Sequence, residues 1–326
     1  MDILVTGGAG YIGSITTEAL IERGHDVVVL DNLETGHREA VHPKATFIHA
    51  DIRDRDAVGA ALRDHRVEAV LHFAAYSLVG RSMERPLEYF ENNTAGTLDL
   101  LACLSDEHVD KFVLSSTAAL FGTPEKVPIA EDAAIRPESV YGETKYLIER
   151  TLHWLVQSGG LGYATLRYFN AAGASERCGE DHRPESHLIP IILEAAQGAR
   201  QSVSVFGDDY PTPDGSCIRD YIHVLDLATA HVLAVEAVAP GEERAYNLGN
   251  GRGFSVFEVI EACRTVTGCP ISTEITARRP GDPAMLVADS TKIAHQLGWE
   301  PRHRQLEEIV RSAWNWRLRH PHGYHG

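Results

Sequence analysis

Cysteine is scarce. There are five in 326 residues, Cys103, Cys178, Cys217, Cys263 and Cys269, an odd number with no C-x-x-C pair. Neither a disulfide framework nor a cysteine-based zinc site follows from that spacing. The five are expected to be ordinary thiols, and no metal is expected. Basic residues are also few: 30 Lys plus Arg stand against 46 Asp plus Glu, a formal charge of −16. Such a surface repels nucleic acid and anionic lipid over a Debye length of about 8–10 Å, so no nucleic-acid partner is expected. No membrane is expected either, because no apolar run approaches the roughly 18–20 residues of a spanning helix. The chain runs straight into "MDILVTGGAGYIG", without a basic, cleavable leader, and a cytoplasmic setting is the expectation. Internal repeats and low-complexity stretches are lacking. The seventeen histidines are scattered, except for His320, His322 and His325 in "HPHGYHG", a tail expected to be solvated.

What the sequence does have is alternation. Short β-branched runs stand at 2–6, 27–31, 46–50, 69–74, 111–116 and 163–168. Helical patterns lie between them. One covers 12–23 and is ended by Gly24. A second, 54–65, carries Val58, Ala61 and Leu62 on one face. A third opens at Pro86 and runs through Phe90, Asn93, Thr97, Leu100, Leu101 and Leu104 at spacings of three and four. A fourth opens near Tyr141 and carries Ile148, Leu152, Leu155 and Val156. This pattern predicts an α/β fold over 1–172: a doubly wound parallel sheet of the Rossmann type, covered by helices on both faces. After about residue 172 the turn-rich stretches "GASERCGEDHRPES" and "DDYPTPDGS" lead into mixed short elements. These predict a smaller C-terminal α/β substrate lobe over 173–326. A helix over 221–238 and a strand over 245–250 are expected to return to the first lobe, so the boundary is discontinuous near 221–250.

"VTGGAGYIG" follows the first strand and opens the first helix, with Gly7, Gly10 and Gly13 at G-x-x-G-x-x-G spacing. In that place glycines allow a tight turn, close approach of backbone to a pyrophosphate, and close helix–sheet packing. The helix N-terminus then offers N–H groups and a partial positive charge to the phosphates. Asp31 ends the second strand, where a carboxylate accepts hydrogen bonds from ribose hydroxyls and repels a 2′-phosphate. This favours NAD over NADP. Asp51, after the third strand, is a candidate for the adenine side. In "SVYGETK", Tyr141 and Lys145 share a helix face at (i, i+4). Alone that pair is a common surface motif. Beside a nicotinamide it becomes a general base, because the ammonium and the positive ring both favour the phenolate. Thr117, at the end of the fifth strand, supplies a hydroxyl within reach of Tyr141 and a substrate.

The strings "LDNL", "DIRD", "PLEYFENN", "YGETK", "LRYFNAAGA", "HLIP", "FGDDYPTPDGSCIRDYIHVLDLA", "YNLGNG", "RRPGDPAMLVAD", "LGWEP" and "HPHGY" run nearly end to end. With them the chain resembles the extended short-chain dehydrogenase/reductases and, within them, the UDP-glucose 4-epimerases and their nucleotide-sugar relatives. The resemblance implies NAD-dependent inversion at C4 of a UDP-sugar through a 4-keto intermediate, with Tyr141 as base, Lys145 on the nicotinamide ribose and Thr117 on the sugar oxygen. It implies that Tyr11, Ile12, Asn32, Ile52, Phe73, Ala74, Ala75, Asn92, Ser115 and Tyr168 join Gly7, Gly10, Gly13, Asp31 and Asp51 around the cofactor. It places Asn170, His187, Leu188, Phe206, Arg219, Tyr221, Arg279 and Asp282 around UDP, with the two arginines as diphosphate partners. It also implies a homodimer, joined through the helices that open near Pro86 and Tyr141.

Four positions depart from the family pattern. Thr117 stands where many relatives have Ser, and the hydroxyl survives. Phe121 stands where Tyr is usual. Tyr76 and Ser77 stand where many relatives carry a lysine, which removes one cofactor-ribose contact. Leu286 stands at the position that gates sugar size, between the bulky Tyr that excludes N-acetylated sugars and the small residues that admit them. A nucleotide-sugar dehydratase needs an acid and a base beside its hydroxyl residue, and here Thr117 is followed by Ala118 and Ala119. Epimerases of UDP-pentoses, uronates or N-acetylhexosamines stay open. A nicotinamide-sensing regulator would have no need of Tyr141, Lys145 and the arginines.

Overall fold

The computed structural model describes residues 1–279 and 281–324. Among them the strands are β1 (Asp2–Thr6), β2 (Asp26–Asp31), β3 (Thr46–His49), β4 (Ala69–His72), β5 (Lys111–Thr117), β6 (Gly162–Tyr168), β7 (Asn170–Ala172), β8 (Val203–Phe206), β9 (Ile218–His223), β10 (Glu243–Leu248), β11 (Gly253–Ser255), β12 (Thr273–Thr276) and β13 (Met285–Leu286). The α-helices are α1 (Tyr11–Glu22), α2 (Arg55–Asp64), α3 (Val79–Glu84), α4 (Pro86–Tyr89), α5 (Gly96–Asp106), α6 (Val140–Ser158), α7 (Leu188–Ala196), α8 (Val224–Ala237), α9 (Val256–Thr267), α10 (Thr291–Leu297) and α11 (Leu306–Arg319).

Seven strands form one parallel sheet in the order β10-β6-β5-β4-β1-β2-β3. Both faces are covered, so the strands read as apolar runs rather than alternations. Leu20 of α1 and Leu227, Ala230 and Ala234 of α8 pack on one face against Ile3, Val5 and Leu71. Val58 and Leu62 of α2, Leu100 and Leu104 of α5, and Ile148 and Leu152 of α6 pack on the other against Leu4, Val70 and Leu114. Each such side chain taken out of water contributes roughly 1.5–3 kcal/mol before the entropy of ordering it. The strand order reverses between β1 and β4, and that reversal opens a crevice at the carboxyl ends of the strands.

The smaller lobe holds β7, β9, β11 and β13 in one sheet, with β9 paired to each of the others, and β8 with β12 in a second. Helices α7, α9 and α11 enclose its core of Ile192, Leu193, Phe254, Val259, Ile309 and Val310. No helix among the described residues is long and apolar enough to cross a membrane.

Three local expectations are corrected. Residues 221–223 are not helical: they finish β9. Helix α8 starts only at Val224, because the His223 ring accepts the Leu225 N–H at 3.1 Å and caps it. The run from Pro86 to Asp106 is not one α-helix, since a π turn occupies Phe90–Ala95. The tail is docked rather than solvated. The Tyr324 N–H donates to Asp181 at 3.0 Å, its hydroxyl accepts the Gly179 N–H at 3.1 Å, and its ring stacks on His37 at 4.8 Å. His322 is exposed and His320 stacks on Trp316. His325 lies outside the described residues.

Candidate active site

A cleft of about 790 Å³ runs along the carboxyl ends of β1, β2, β4 and β5 and on to the small lobe. Gly7, Gly10, Tyr11, Ile12 and Gly13 form its floor. A Cβ at Gly13 would lie 2.2 Å from the Gly7 carbonyl oxygen, and Gly7 itself has φ +74°. Gly10 precedes α1 without a side-chain cap, and the first turn of α1 carries no acidic residue. Its N–H groups are therefore left to a ligand. Asp31 accepts the Ala9 N–H at 3.0 Å and the Leu33 N–H at 2.8 Å, which fixes its carboxylate on the cleft wall. Burial raises its pKa, and those two N–H groups oppose the rise. Asp51 is held low, chiefly by the Arg53 fork at 2.7 and 2.8 Å, and the Asn32 amide donates to it at 2.8 Å. Ile52, Phe73, Ala74, Ala75 and Asn92 complete this end. A floor that only glycine can form, below an uncapped helix start and beside a fixed carboxylate, fits a dinucleotide. Tyr76 and Ser77 line the wall, and the Tyr76 hydroxyl donates to Glu34 at 2.7 Å.

The chemistry-bearing wall follows from local sequence. Ser139 caps α6 by accepting the Gly142 N–H at 3.1 Å. A Cβ at Gly142 would meet the Ala119 carbonyl at 2.6 Å. Glycine there lets the start of α6 close onto the turn after β5, which brings Tyr141 against Thr117. Thr117 favours the ionised form of Tyr141, and Thr117 Oγ1 accepts the Ala119 N–H at 3.1 Å. Lys145 is buried and its ammonium donates to the Ser115 carbonyl at 2.9 Å. Ser115 Oγ lies 2.6 Å from the Tyr168 hydroxyl. Burial pushes the Lys145 pKa down to about 8, with Glu149 opposing the fall. Burial pushes Tyr141 well above the ordinary phenol value, Tyr168 adds to the rise, and Thr117 opposes it. Burial thus dominates this phenol in the protein alone, whereas the expected phenolate was tied to a bound nicotinamide.

The far end of the cleft is lined by Asn170, His187, Arg219 and Leu286. The Arg219 guanidinium donates to Asp282, to the Ile218 carbonyl at 2.7 Å and to the Pro283 carbonyl at 2.8 Å. Leu286 sits on β13 opposite Arg219. Leu188, Phe206, Tyr221, Arg279 and Asp282 lie outside the cleft wall. Arg279 covers the Phe206 ring at 3.9 Å, and Tyr221 is buried in the small-lobe core. Phe121 also lies off the wall, buried with Leu120 and Ile129 under Leu286, so a hydroxyl missing there is missing from a core rather than from the cleft.

Residues 3–249 match the model of the NAD dependent epimerase/dehydratase family. The chain belongs to this family. Membership makes it an epimerase-type enzyme with NAD as cofactor. The chain is 56% identical to the UDP-glucose 4-epimerase of Halalkalibacterium halodurans over 99% of its own length and 98% of that protein's. It superposes on the crystal structure of a UDP-glucose 4-epimerase with a TM-score of 0.97 at 49% identity, covering 100% of both chains. The UDP-glucose 4-epimerase of Stenotrophomonas maltophila, solved with bound NAD and formylated UDP-arabinopyranose, superposes with a TM-score of 0.94 at 41% identity, covering 98% of this chain and 99% of that one.

Sequence reasoning passed over one cluster in this family member. Glu180, His182, Glu185 and His187 bring their ligand atoms within 4.8 Å of one another beside the cleft. The signal was there as two E-x-H pairs in "GEDHRPESH", inside a stretch read only as a polar loop.

Proposed function

We propose that the chain interconverts UDP-glucose and UDP-galactose by inverting C4 through a transient 4-keto sugar. The reading rests on one observation: Thr117, Tyr141 and Lys145 meet on the wall of a cleft that runs from the glycine floor to Arg219 and Leu286. NAD, when bound, supplies the hydride acceptor and donor that this redox cycle needs. Tyr141 takes the proton of the 4-hydroxyl and returns it, and Thr117 holds the same oxygen. Because burial holds the Tyr141 proton on, the positive charges of Lys145 and the nicotinamide must outweigh burial before the phenol works as a base. Lys145, with a pKa of about 8, carries most of its charge at neutral pH.

Asn170, His187 and Arg219, on the cleft wall, are proposed to hold UDP, with Leu188, Phe206, Tyr221, Arg279 and Asp282, beyond the wall, as the further neighbours the family resemblance assigns and Leu286 as the gate on sugar size. The two arginines supply local positive charge that the acidic surface lacks. We infer a homodimer across α3 to α6, where Val79, Met83, Leu87, Leu98 and Trp154 are exposed large hydrophobics. Five free thiols fit a reducing, cytoplasmic setting.

The test is chromatography of UDP-galactose incubated with the protein and NAD, without added reductant. UDP-glucose accumulating to a steady ratio is the expected outcome, and an unchanged substrate would overturn the reading. Parallel incubations with UDP-N-acetylgalactosamine and a UDP-pentose define the sugar range that Leu286 leaves open.

A further inference from the structure

We infer that Glu180, His182, Glu185 and His187 form a binding site for a divalent transition-metal cation of the zinc class. The four side chains come from one eight-residue stretch that leads from β7 into α7. His187 Nδ1 lies 2.8 Å from Glu180 Oε1 and 3.0 Å from Glu185 Oε1, and His182 Nδ1 lies 3.2 Å from the same Glu180 oxygen. A tetrahedral zinc with bonds of about 2.0–2.2 Å sets its donors roughly 3.3–3.6 Å apart. That lies between the closest of these pairs and the 4.8 Å that bounds the widest, so small shifts, outward for some groups and inward for others, would form the site.

The second observation is independent of the spacing. Glu185 Oε2 is buried with no hydrogen-bond partner, on a side chain only 3% exposed. A bare carboxylate oxygen out of water is costly. The other oxygen, Oε1, accepts the N–H groups of Ser186 at 2.7 Å and His187 at 2.8 Å and lies 3.0 Å from His187 Nδ1, so Oε2 is the oxygen left for a metal. Those bonds orient the carboxylate in the way that outer-shell contacts orient metal ligands. Two carboxylates and two neutral imidazoles balance a dication in charge. Mixed imidazole and carboxylate donors suit zinc and its transition-metal neighbours better than magnesium or calcium, which take oxygen alone.

The site has a structural meaning. His182 meets Tyr11, the first residue of α1, edge-on at 6.3 Å, and the Tyr11 hydroxyl donates to the Gly173 carbonyl at 2.6 Å. His187 precedes α7. A metal here would clip the first helix of the small lobe to the glycine floor of the large one. Coordination through Nδ1 leaves Nε2 of His187 for the substrate contact that the family pattern assigns to it.

The experiment uses the NAD-loaded protein without a histidine tag, stripped with a chelator and titrated with zinc sulfate in a calorimeter. Metal content is then read by plasma mass spectrometry after desalting. One zinc retained per chain, a melting temperature raised by several degrees and no response to magnesium are expected. The His182→Gln/Glu185→Gln pair should weaken zinc binding at least tenfold. His182→Gln alone serves if the pair fails to fold. A His320→Gln/His322→Gln variant should bind zinc as the parent does. Zinc bound no better by the parent than by the cluster variant, or lost with the tail histidines, would overturn the site and leave a cluster closed by protons.

Discussion

In the seven-stranded sheet, Ile3, Leu4, Val5, Val70, Leu71, Val113 and Leu114 are all fully buried between helix layers. Around β9 the picture is different. Asp220, fully buried, accepts the N–H groups of Asn250 at 2.7 Å, Gly251 at 3.1 Å and Ala288 at 3.1 Å. Nearby, Asp226 accepts the N–H groups of Arg302 at 3.0 Å and His303 at 2.9 Å. The large lobe is held mainly by apolar layers, with the buried Arg167–Glu149 pair between β6 and α6 as an exception, and it carries the Tyr141 constellation. The small lobe adds to its core a set of carboxylates that tie loops far apart in sequence, and it carries the wall proposed to bind UDP. Periodic burial makes a rigid platform, while single polar ties shape the loops around the proposed UDP site.

Breaking one tie tests that contrast most severely. Asp220→Ala leaves the two buried N–H groups of Asn250 and Ala288 without an acceptor, at roughly 1–3 kcal/mol each, and the part-buried Gly251 N–H as well. A loss of about 4 kcal/mol in urea unfolding is expected, and a loss below about 1 kcal/mol would mean the small lobe is held by its apolar core alone. Next in size, Tyr141→Phe should slow turnover at least about a hundredfold, roughly 2.7 kcal/mol in the barrier, while UDP affinity measured by calorimetry stays unchanged. A parallel fall in affinity would mean the two walls do not divide chemistry from recognition.

The smallest effect sharpens the view of the large lobe, where function and stability oppose each other. The Lys145 pKa is pushed down from 10.5 to about 8 by burial. The unfolded chain takes up this proton first, so folding loses stability as pH falls from about 10.5 to about 8, and the loss persists below. Lys145→Met removes that penalty and also the bond to the Ser115 carbonyl. A net gain of about 2 kcal/mol at pH 7 is expected for the NAD-free protein, read by urea unfolding at pH 7 and pH 9.5. The advantage should shrink at the higher pH, and a less stable variant would show that the ammonium is well solvated by its partners.

The same contrast explains what could be read in advance. Apolar runs and spacings of three and four are local, so β1 to β6, α1, α2 and α6 stood out within a residue or two of their bounds. The glycine floor, Asp31 and the Tyr141–Lys145 pair were legible because each belongs to a motif a few residues long. The partners of these residues were not. That Lys145 would donate to Ser115, thirty residues earlier, depends on how α6 seats against β5. Nothing local in "RDYIH" says that Asp220 will meet the backbone at 250, 251 and 288. Helices α7, α9, α10 and α11 went unassigned because turn-rich sequence surrounds them, although α9 and α11 are no shorter than α1. The pKa of Tyr141 followed burial, which no spacing reveals.

Strand β10 has a consequence for how the chain is made. It pairs with β6, yet about 80 residues separate Tyr168 from Leu248, and the whole first half of the small lobe lies between them. At a ribosomal rate of roughly 5–20 residues per second, β6 emerges several seconds before its outer neighbour. During that interval the nascent sheet carries an open edge of unpaired N–H and C=O groups beside an apolar face, the kind of surface that recruits stray strands. The last strand to join thus moves the open edge from β6 to β10, where the Glu131 carboxylate takes the Asn247 N–H at 2.8 Å.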